Sequence, residues 1–263
     1  MYQALALEDL LDLVNLSRSV GRSVPDAWHD TIGRMRIWLS CMTHPDGEIA
    51  FFNDAAIGVA PSPGDLQDYA VRLGYEGLPT LPLGGSHLGD SGYVRLSSDT
   101  AVALLDVARI GPDYLPGHAH ADTLSFELSI RGERCIVNSG TSLYGLGAER
   151  LRQRGTAAHN TVTVDGQDSS EVWSGFRVAR RAFPVGLRVE EGAGAWTVSC
   201  SHDGYRRLKG RPRHFRRWRF SDNQLTVTDA ITEGGVHRSV AAFHFHPDLR
   251  PVPGSDATEG ELL

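Results

Sequence analysis

The sequence predicts an α+β chain in which helices come first and an antiparallel β-sandwich follows. Three observations predict it. Apolar residues recur at helical spacing through much of the first 75 residues, glycine and proline crowd the stretch 76–92, and from Tyr93 onward the pattern has period two. The 263 residues suffice for one large domain or two modest ones with a sizeable core. The expected division is a helical segment over 1–75, a linker over 76–92 and an antiparallel β-sandwich over 93–263.

Residues 1–20 read as an amphipathic helix, with Leu7, Leu10, Leu11, Val14 and Leu16 at helical spacing and Glu8, Asp9 and Asp12 on the other face. Gly21 is a plausible stop. A second helix starts near Asp26, after Pro25, and carries Trp28, Ile32, Met35, Trp38 and Leu39 on one face. It ends before the turn-rich Thr43-His44-Pro45-Asp46-Gly47. After a loop with Pro61, Pro63 and Gly64, Asp65 reads as the N-cap of a short helix to Leu73. Two apolar helices cannot bury their faces alone, so they need each other or further elements.

The strand candidates are Tyr93–Leu96, Ala101–Ala108, Thr123–Ile130, Arg134–Val137, Asn160–Val164, Trp196–Ser201, Arg213–Phe220, Leu225–Ile231 and Arg238–His246. In the third, Leu124, Phe126, Leu128 and Ile130 alternate with Ser125, Glu127 and Ser129, the pattern of a half-buried antiparallel strand. Turn signals at Val164-Asp165-Gly166-Gln167 and Ser221-Asp222-Asn223 suit a sandwich. The chain stops at Glu261-Leu262-Leu263 with no obvious closing strand.

Composition excludes some classes of function. A formal net charge of −6 argues against nucleic acid as the main partner. Cys41, Cys135 and Cys200 are odd in number and widely spaced, so they read as small buried hydrophobes rather than a disulfide framework or metal site. No apolar run approaches the roughly 20 residues that span a bilayer, and Met1 to Val20 lacks the basic n-region of a signal peptide.

The stretch Pro116 to Val164 carries the chemistry. It opens Pro116-Gly117-His118-Ala119-His120-Ala121-Asp122 and closes Thr156-Ala157-Ala158-His159-Asn160-Thr161-Val162. Histidines at i and i+2 before a strand share one side of an extended chain. Imidazoles gathered at strand mouths can bind a metal or pass protons near neutral pH. Unrelated loop histidines are the plain alternative, but the small residues flanking these imidazoles leave room for a ligand. Tyr205 to Phe220 is strongly basic, with Arg206, Arg207, Lys209, Arg211, Arg213, Arg216, Arg217 and Arg219. It suits phosphates, an acidic glycan, or pairing with the chain's surplus acids. Arg150, Arg152 and Arg154, close to His159, are better placed to meet an acidic substrate.

These motifs carry a resemblance. Leu7-Glu8-Asp9-Leu10-Leu11-Asp12-Leu13, Gly117-His118-Ala119-His120-Ala121-Asp122-Thr123-Leu124-Ser125-Phe126, Arg150-Leu151-Arg152, and Thr156 through Gln167 match a known pattern, as does Ser170-Glu171-Val172-Trp173 to Phe176-Arg177-Val178. The chain resembles the heparinase II/III-like polysaccharide lyases over almost its whole length. The resemblance implies the remnant of an (α/α) toroid followed by an antiparallel β-sandwich. It implies a carbon–oxygen lyase that cleaves a uronic-acid-containing acidic polysaccharide by β-elimination. The alternative is a non-catalytic, acidic-glycan-binding or supporting β domain with a truncated toroid. His118 falls at the family's catalytic histidine and Tyr2 near its catalytic tyrosine. His120, Asn138 and His159 fall at its structural zinc site, with Asn138 where an aspartate is usual. Asn is the weaker ligand; without metal, these histidines would brace the loops around His118. The resemblance further implies a periplasmic, cell-envelope or secreted protein, with no nucleic-acid or membrane partner.

Overall fold

The computed structural model describes residues 1–78, 80–221 and 224–250. They form two units: Met1–Ala50 with Ala55–Pro82, and Phe51–Asp54 with the chain from Leu83 onward. Asp222 and Asn223 of the expected turn, and the stretch ending Glu261-Leu262-Leu263, lie outside the described residues.

The first unit holds three helices, α1 (Tyr2–Ser19), α2 (Asp26–Cys41) and α3 (Pro63–Arg72). Helix α1 buries Ala4, Leu7, Leu11 and Val14, the i, i+3, i+4 stripe expected of an amphipathic helix, while Leu16 stays exposed. Helix α2 buries Ile32 and Leu39 and also Arg36, whose guanidinium donates to Gln67 Oε1 (2.8 Å) and Glu76 O (2.8 Å). The cap of α3 corrects the sequence reading. Ser62, not Asp65, is the N-cap: its Oγ accepts from Asp65 N (3.1 Å), Pro63 occupies the first turn, and Asp65 answers by accepting from Ser62 Oγ (2.7 Å).

The second unit is the β-sandwich. Strands β1 (Gly84–Leu88), β2 (Tyr93–Ser97), β3 (Ala101–Asp106), β4 (Phe126–Ile130) and β5 (Glu133–Ile136) form an antiparallel sheet in sequence order. Past β5 come helix α4 (Ala148–Arg154), strand β6 (Val162–Val164) and the hairpin β7 (Val172–Trp173) and β8 (Arg177–Val178). Strands β9 (Pro184–Gly192), β10 (Ala195–His202), β11 (Arg213–Ser221) and β12 (Gln224–Thr232) make the second sheet, ordered β12-β11-β10-β9. Strand β13 (Ser239–Ala241) pairs with β6. Val94, Leu96, Ala103, Leu105, Phe126 and Leu128 of the first sheet share one core with Val198, Cys200, Trp218 and Phe220 of the second. Burial of these apolar side chains is the main force joining the sheets.

Three departures from the sequence reading have physical causes. The expected linker contains β1, whose glycines hide it: an added Cβ at Gly85 would lie 2.4 Å from Trp196 Cε3, so the glycine face is where the indole packs. Strand β9 and helix α4 went unread because neither shows a clean apolar stripe. The polar face of β4 is buried rather than solvated, with Glu127 and Ser129 inside and Ile130 exposed instead. Glu127 Oε1 accepts from Phe51 N (2.8 Å) and Asn138 N (3.3 Å), so the row reads polar because it anchors loops.

Along β11 the inward positions change character. Trp218 and Phe220 fill the core, while His214 and Arg216 continue the same row and are equally buried. Arg216 forks onto Asp229 (2.7 and 2.8 Å) and donates to Leu124 O (2.8 Å) and to Asn160 O. Gly204 N donates to His202 Nδ1 (3.2 Å), so His202 Nε2 donates to His214 Nδ1 (3.2 Å) and His214 Nε2 to Asp229 Oδ1 (2.7 Å). Burial, with the nearby His214 and Arg216, holds the His202 pKa well below its ordinary 6.5. Arg216→Ala, which strips Asp229 of its guanidinium partner and removes a donor from two carbonyls, is expected to destabilise the protein by about 3–5 kcal/mol in urea unfolding. The unfolded chain takes up a proton on His202 below pH 6.5 that the folded chain refuses, so stability falls as pH drops from there. His202→Gln should flatten the slope of Tm against pH between roughly 6.5 and 5; an unchanged slope would remove His202 from this role.

Candidate functional site

Asp54 is the centre of the site, although no spacing rule singled it out. It ends the segment Phe51–Asp54, and its carboxylate is fully buried. Asn53 sets the segment in place from a left-handed conformation (φ 54°). Its N–H donates to Asp122 Oδ2 (3.2 Å), its Nδ2 to Tyr93 Oη (3.2 Å), and its Oδ1 accepts from His120 N (3.2 Å). Asparagine is among the few non-glycine residues that enter this region readily, and these bonds hold it there.

Two histidines meet at Asp54 through different ring nitrogens. His118 Nδ1 lies 2.8 Å from Oδ2, and His120 Nε2 lies 2.8 Å from Oδ1. Arg150 Nη2 donates to Oδ2 (2.8 Å), and Nη1 to Oδ1. Burial alone would raise the Asp54 pKa. The hydrogen bonds from His120, Arg150 and His118 outweigh it and hold the carboxyl at about 2. His118 thus has its Nδ1 edge committed, and its side chain is 49% exposed at the edge of a cleft of about 880 Å³ that Asn53 and Tyr93 also line.

Helix α4 carries all three expected substrate cations and turns two of them inward. Arg150 and Arg154, four residues apart and therefore on one face, are both fully buried. Beyond Asp54, Arg150 donates to Gly175 O (3.0 Å) and Thr141 Oγ1 (3.0 Å), and its guanidinium lies 5.2 Å from the Tyr144 ring and 5.3 Å from Phe176. Arg154 donates to Ala119 O twice (3.1 and 2.9 Å), to Ser174 O and to Arg177 O. Burial, followed by repulsion from Arg150, lowers its pKa to about 10. Both arginines therefore fix the His118-Ala119-His120 backbone and its carboxylate from behind. Arg152 is exposed and paired with Glu149 (2.6 Å).

The expected metal residues come together. The rings of His120 and His159 lie 5.2 Å apart, and His159 Nδ1 is 2.6 Å from Asn138 Oδ1. Asn160 holds that junction, donating to Phe126 O (2.8 Å) and Val137 O (2.9 Å) while accepting from His244 N (2.6 Å). Each imidazole has one nitrogen engaged with an acceptor oxygen. The remaining His120 Nδ1 and His159 Nε2 are buried without a hydrogen-bond partner among the described residues. Burial, with His120 nearby, keeps the His159 pKa well below 6.5, so this ring is neutral. Two buried imidazole nitrogens that face no hydrogen-bond partner fit a zinc ion. Asn138 fits less directly, because its oxygen is taken by His159 and its Nδ2 is left unpaired. Among the described residues, no group of three or more His, Cys, Asp or Glu is arranged for a metal.

Asp106 and Asp122 are buried beside Tyr93; burial first, then mutual repulsion, raises the pKa of Asp106, and burial raises that of Asp122. Tyr2 belongs to the helical unit, where it opens α1 and is half-exposed. Replacing Asp54 by Ala leaves Arg150 buried and uncompensated, so a loss of about 3–5 kcal/mol is expected in chemical denaturation. The depressed carboxyl contributes stability above its ordinary 3.8, lost as pH falls toward 2. Asp54→Ala should therefore show a flatter acid limb than the parent; equal limbs would mean the carboxylate is not ionised and paired.

Comparison with known proteins places the fold. Heparan sulfate lyase HepC from Pedobacter heparinus superposes with a TM-score of 0.72 at 19% identity, over 95% of this chain and 40% of that one. A crystal structure of heparinase III superposes with a TM-score of 0.73 at 17% identity, over 93% of this chain and 41% of that one. At such identities the likeness is one of fold, and the chain spans about 40% of the length of these structures. A search of curated proteins found no match. The profile of the heparinase II/III-like C-terminal domain matches residues 80–260, a stretch that carries both histidine motifs and the whole sandwich, so the chain belongs to the heparinase II/III-like family.

Proposed function

We propose that the protein acts as a polysaccharide lyase, cleaving a uronic-acid-containing acidic polysaccharide by β-elimination. The observation that carries this reading is the half-exposed His118 on the cleft, with its Nδ1 held 2.8 Å from a buried, ionised carboxylate. Elimination needs a base for the C5 proton of the uronate, an acid for the leaving oxygen, and charge that offsets the substrate carboxylate. With Nδ1 bonded to Asp54, His118 works through Nε2. The carboxylate fixes the tautomer and stabilises the imidazolium that forms when the ring accepts a proton. Tyr2 is proposed as the partner acid or base, and the helical unit as the remnant of an (α/α) toroid. Family membership and the names of the fold neighbours support the substrate class. A periplasmic, envelope or secreted location follows from the same reading, without nucleic-acid or membrane partners. Among the described residues, no helix is long and apolar enough to cross a membrane.

His120 and His159 would hold a structural zinc ion, with Asn138 steadying His159. When bound, that ion supplies cross-linking of two loops rather than reaction chemistry. A second reading, a non-catalytic domain that binds acidic glycan, is favoured by Arg150 and Arg154 being used internally.

Incubation with heparan, chondroitin, hyaluronan and alginate-type polymers should raise the ultraviolet absorbance of an unsaturated uronate. His118→Ala should slow it by about 10²-fold or more, the usual scale of a lost acid–base group. A flat trace from folded protein on every polymer would favour the binding domain. Metal analysis of the purified chain should find zinc near one per chain, lost in His120→Ala and His159→Ala. Asn138→Asp should retain the metal against a chelator better than the parent. Equal metal content in all four proteins would sink the zinc site.

A further inference from the structure

The wall of the cleft beyond His118 is a built structure. It runs from Val107 to His118, and three devices fix it. Val107 N donates to Gly92 O (2.9 Å), and Gly92 (φ +75°) lets the chains touch, since a Cβ there would lie 2.4 Å from Ala108 Cα. At the turn, Gly111 (φ +62°) sits where a Cβ would meet Pro116 Cα at 3.0 Å. Arg181 clamps the outside, donating to Asp113 O (3.1 Å) and Pro112 O (3.4 Å) and pairing with Asp113 Oδ1 (3.3 Å). A loop so tied needs little ordering when it binds a ligand.

Arg109 stands on this wall and lines the cleft. It is exposed, and its guanidinium lies 5.9 Å from the Phe183 ring centroid, a contact that orients the planar fork. Every other cation of the site is committed: Arg150 to Asp54, Arg154 to backbone carbonyls, and Arg152 to Glu149. Arg109 makes no ion pair among the described residues. The titratable lining also includes His87, His118 and one carboxylate, Asp90. Tyr114, 89% exposed on the same wall, offers a ring face. The volume, about 880 Å³, falls within the range of small-molecule sites.

We infer that this cleft takes an anionic sugar unit, whose carboxylate or sulfate is read by the Arg109 guanidinium while the adjoining unit lies at His118. The identity of the bond at His118 rests on the lyase reading; the binding of the anion does not. Arg supplies two parallel N–H donors to a carboxylate or sulfate, which an ammonium cannot match.

The test measures binding by titration calorimetry on the whole chain, with three oligosaccharides of equal length. One is a heparan type carrying carboxylates only, one is its sulfated counterpart, and one is neutral. Arg109→Ala should weaken both anionic probes, or the sulfated one alone, by about 10-fold or more, the scale of a lost charge-assisted pair. Arg109→Lys should recover part of that loss, and Arg219→Ala, on the outer face of β11, should bind as the parent does. Equal losses for the two anionic probes assign the carboxylate; a loss confined to the sulfated probe assigns the sulfate. Unchanged binding in Arg109→Ala, or a neutral probe binding as tightly as the anionic ones, would overturn the inference. Arg109-dependent binding without unsaturated product would retain the cleft and remove the lyase. Product formation with an unaltered KM in Arg109→Ala would do the reverse.

Discussion

A carboxylate without water must be given hydrogen bonds, and the site of this protein is built on that requirement. Asp54 is buried with two imidazoles and a guanidinium around it, and these partners come from two other stretches of the chain. His118 and His120 come from the loop before β4, and Arg150 from α4. Arg150 in turn reaches the carbonyl of Gly175 and lies between two aromatic rings. Leaving a buried ion unpaired costs several kcal/mol, so these segments hold their positions together or not at all. The imidazole exposed to the cleft inherits its orientation from groups that never touch solvent.

The sandwich continues the same theme at a distance. Its apolar core joins two sheets, yet one end of the inward row on β11 is ionic, and Arg216 spans from Asp229 to the carbonyls of Leu124 and Asn160. Leu124, a buried leucine at φ 64°, lies in an unusual conformation for its type. Its N–H reaches Asp106 O and its carbonyl reaches Arg216, so backbone bonds on both sides hold it there. Asn160 adds the link to His159. The two histidine motifs are braced by the far sheet as well as by their own loops.

Much of this was legible in the sequence, and the exceptions follow a rule. The long helices were readable because Leu7, Leu11, Val14, Ile32 and Leu39 face one way at helical spacing. The strands around Leu105, Phe126 and Trp218 were readable from alternation. His118, His120, Asn138 and His159 stand out in the sequence because they lie in dense local motifs, and the last three lie together in the structure. Asp54 was not readable, because its role depends on partners 64 to 96 positions away and nothing nearby marks it. Arg150 and Arg154 were read as facing a substrate because they lie close to His159 in the sequence; only the buried acid and carbonyls explain their inward turn. Strand β1 was hidden by the glycines that admit Trp196.

The position of Asp54 along the chain has a consequence for how the protein can be divided. Four residues of the β unit, Phe51–Asp54, interrupt the sequence of the helical unit, which resumes at Ala55. No single cut separates the two. A piece beginning at Leu83 would contain every strand yet lack the anion at the heart of its own histidine cluster. Recombination or proteolysis between the units would meet the same obstacle. The stretch Ala55–Pro82 is thus kept in line with the sandwich, because Phe51–Asp54 just before it supplies the sandwich with its central charge.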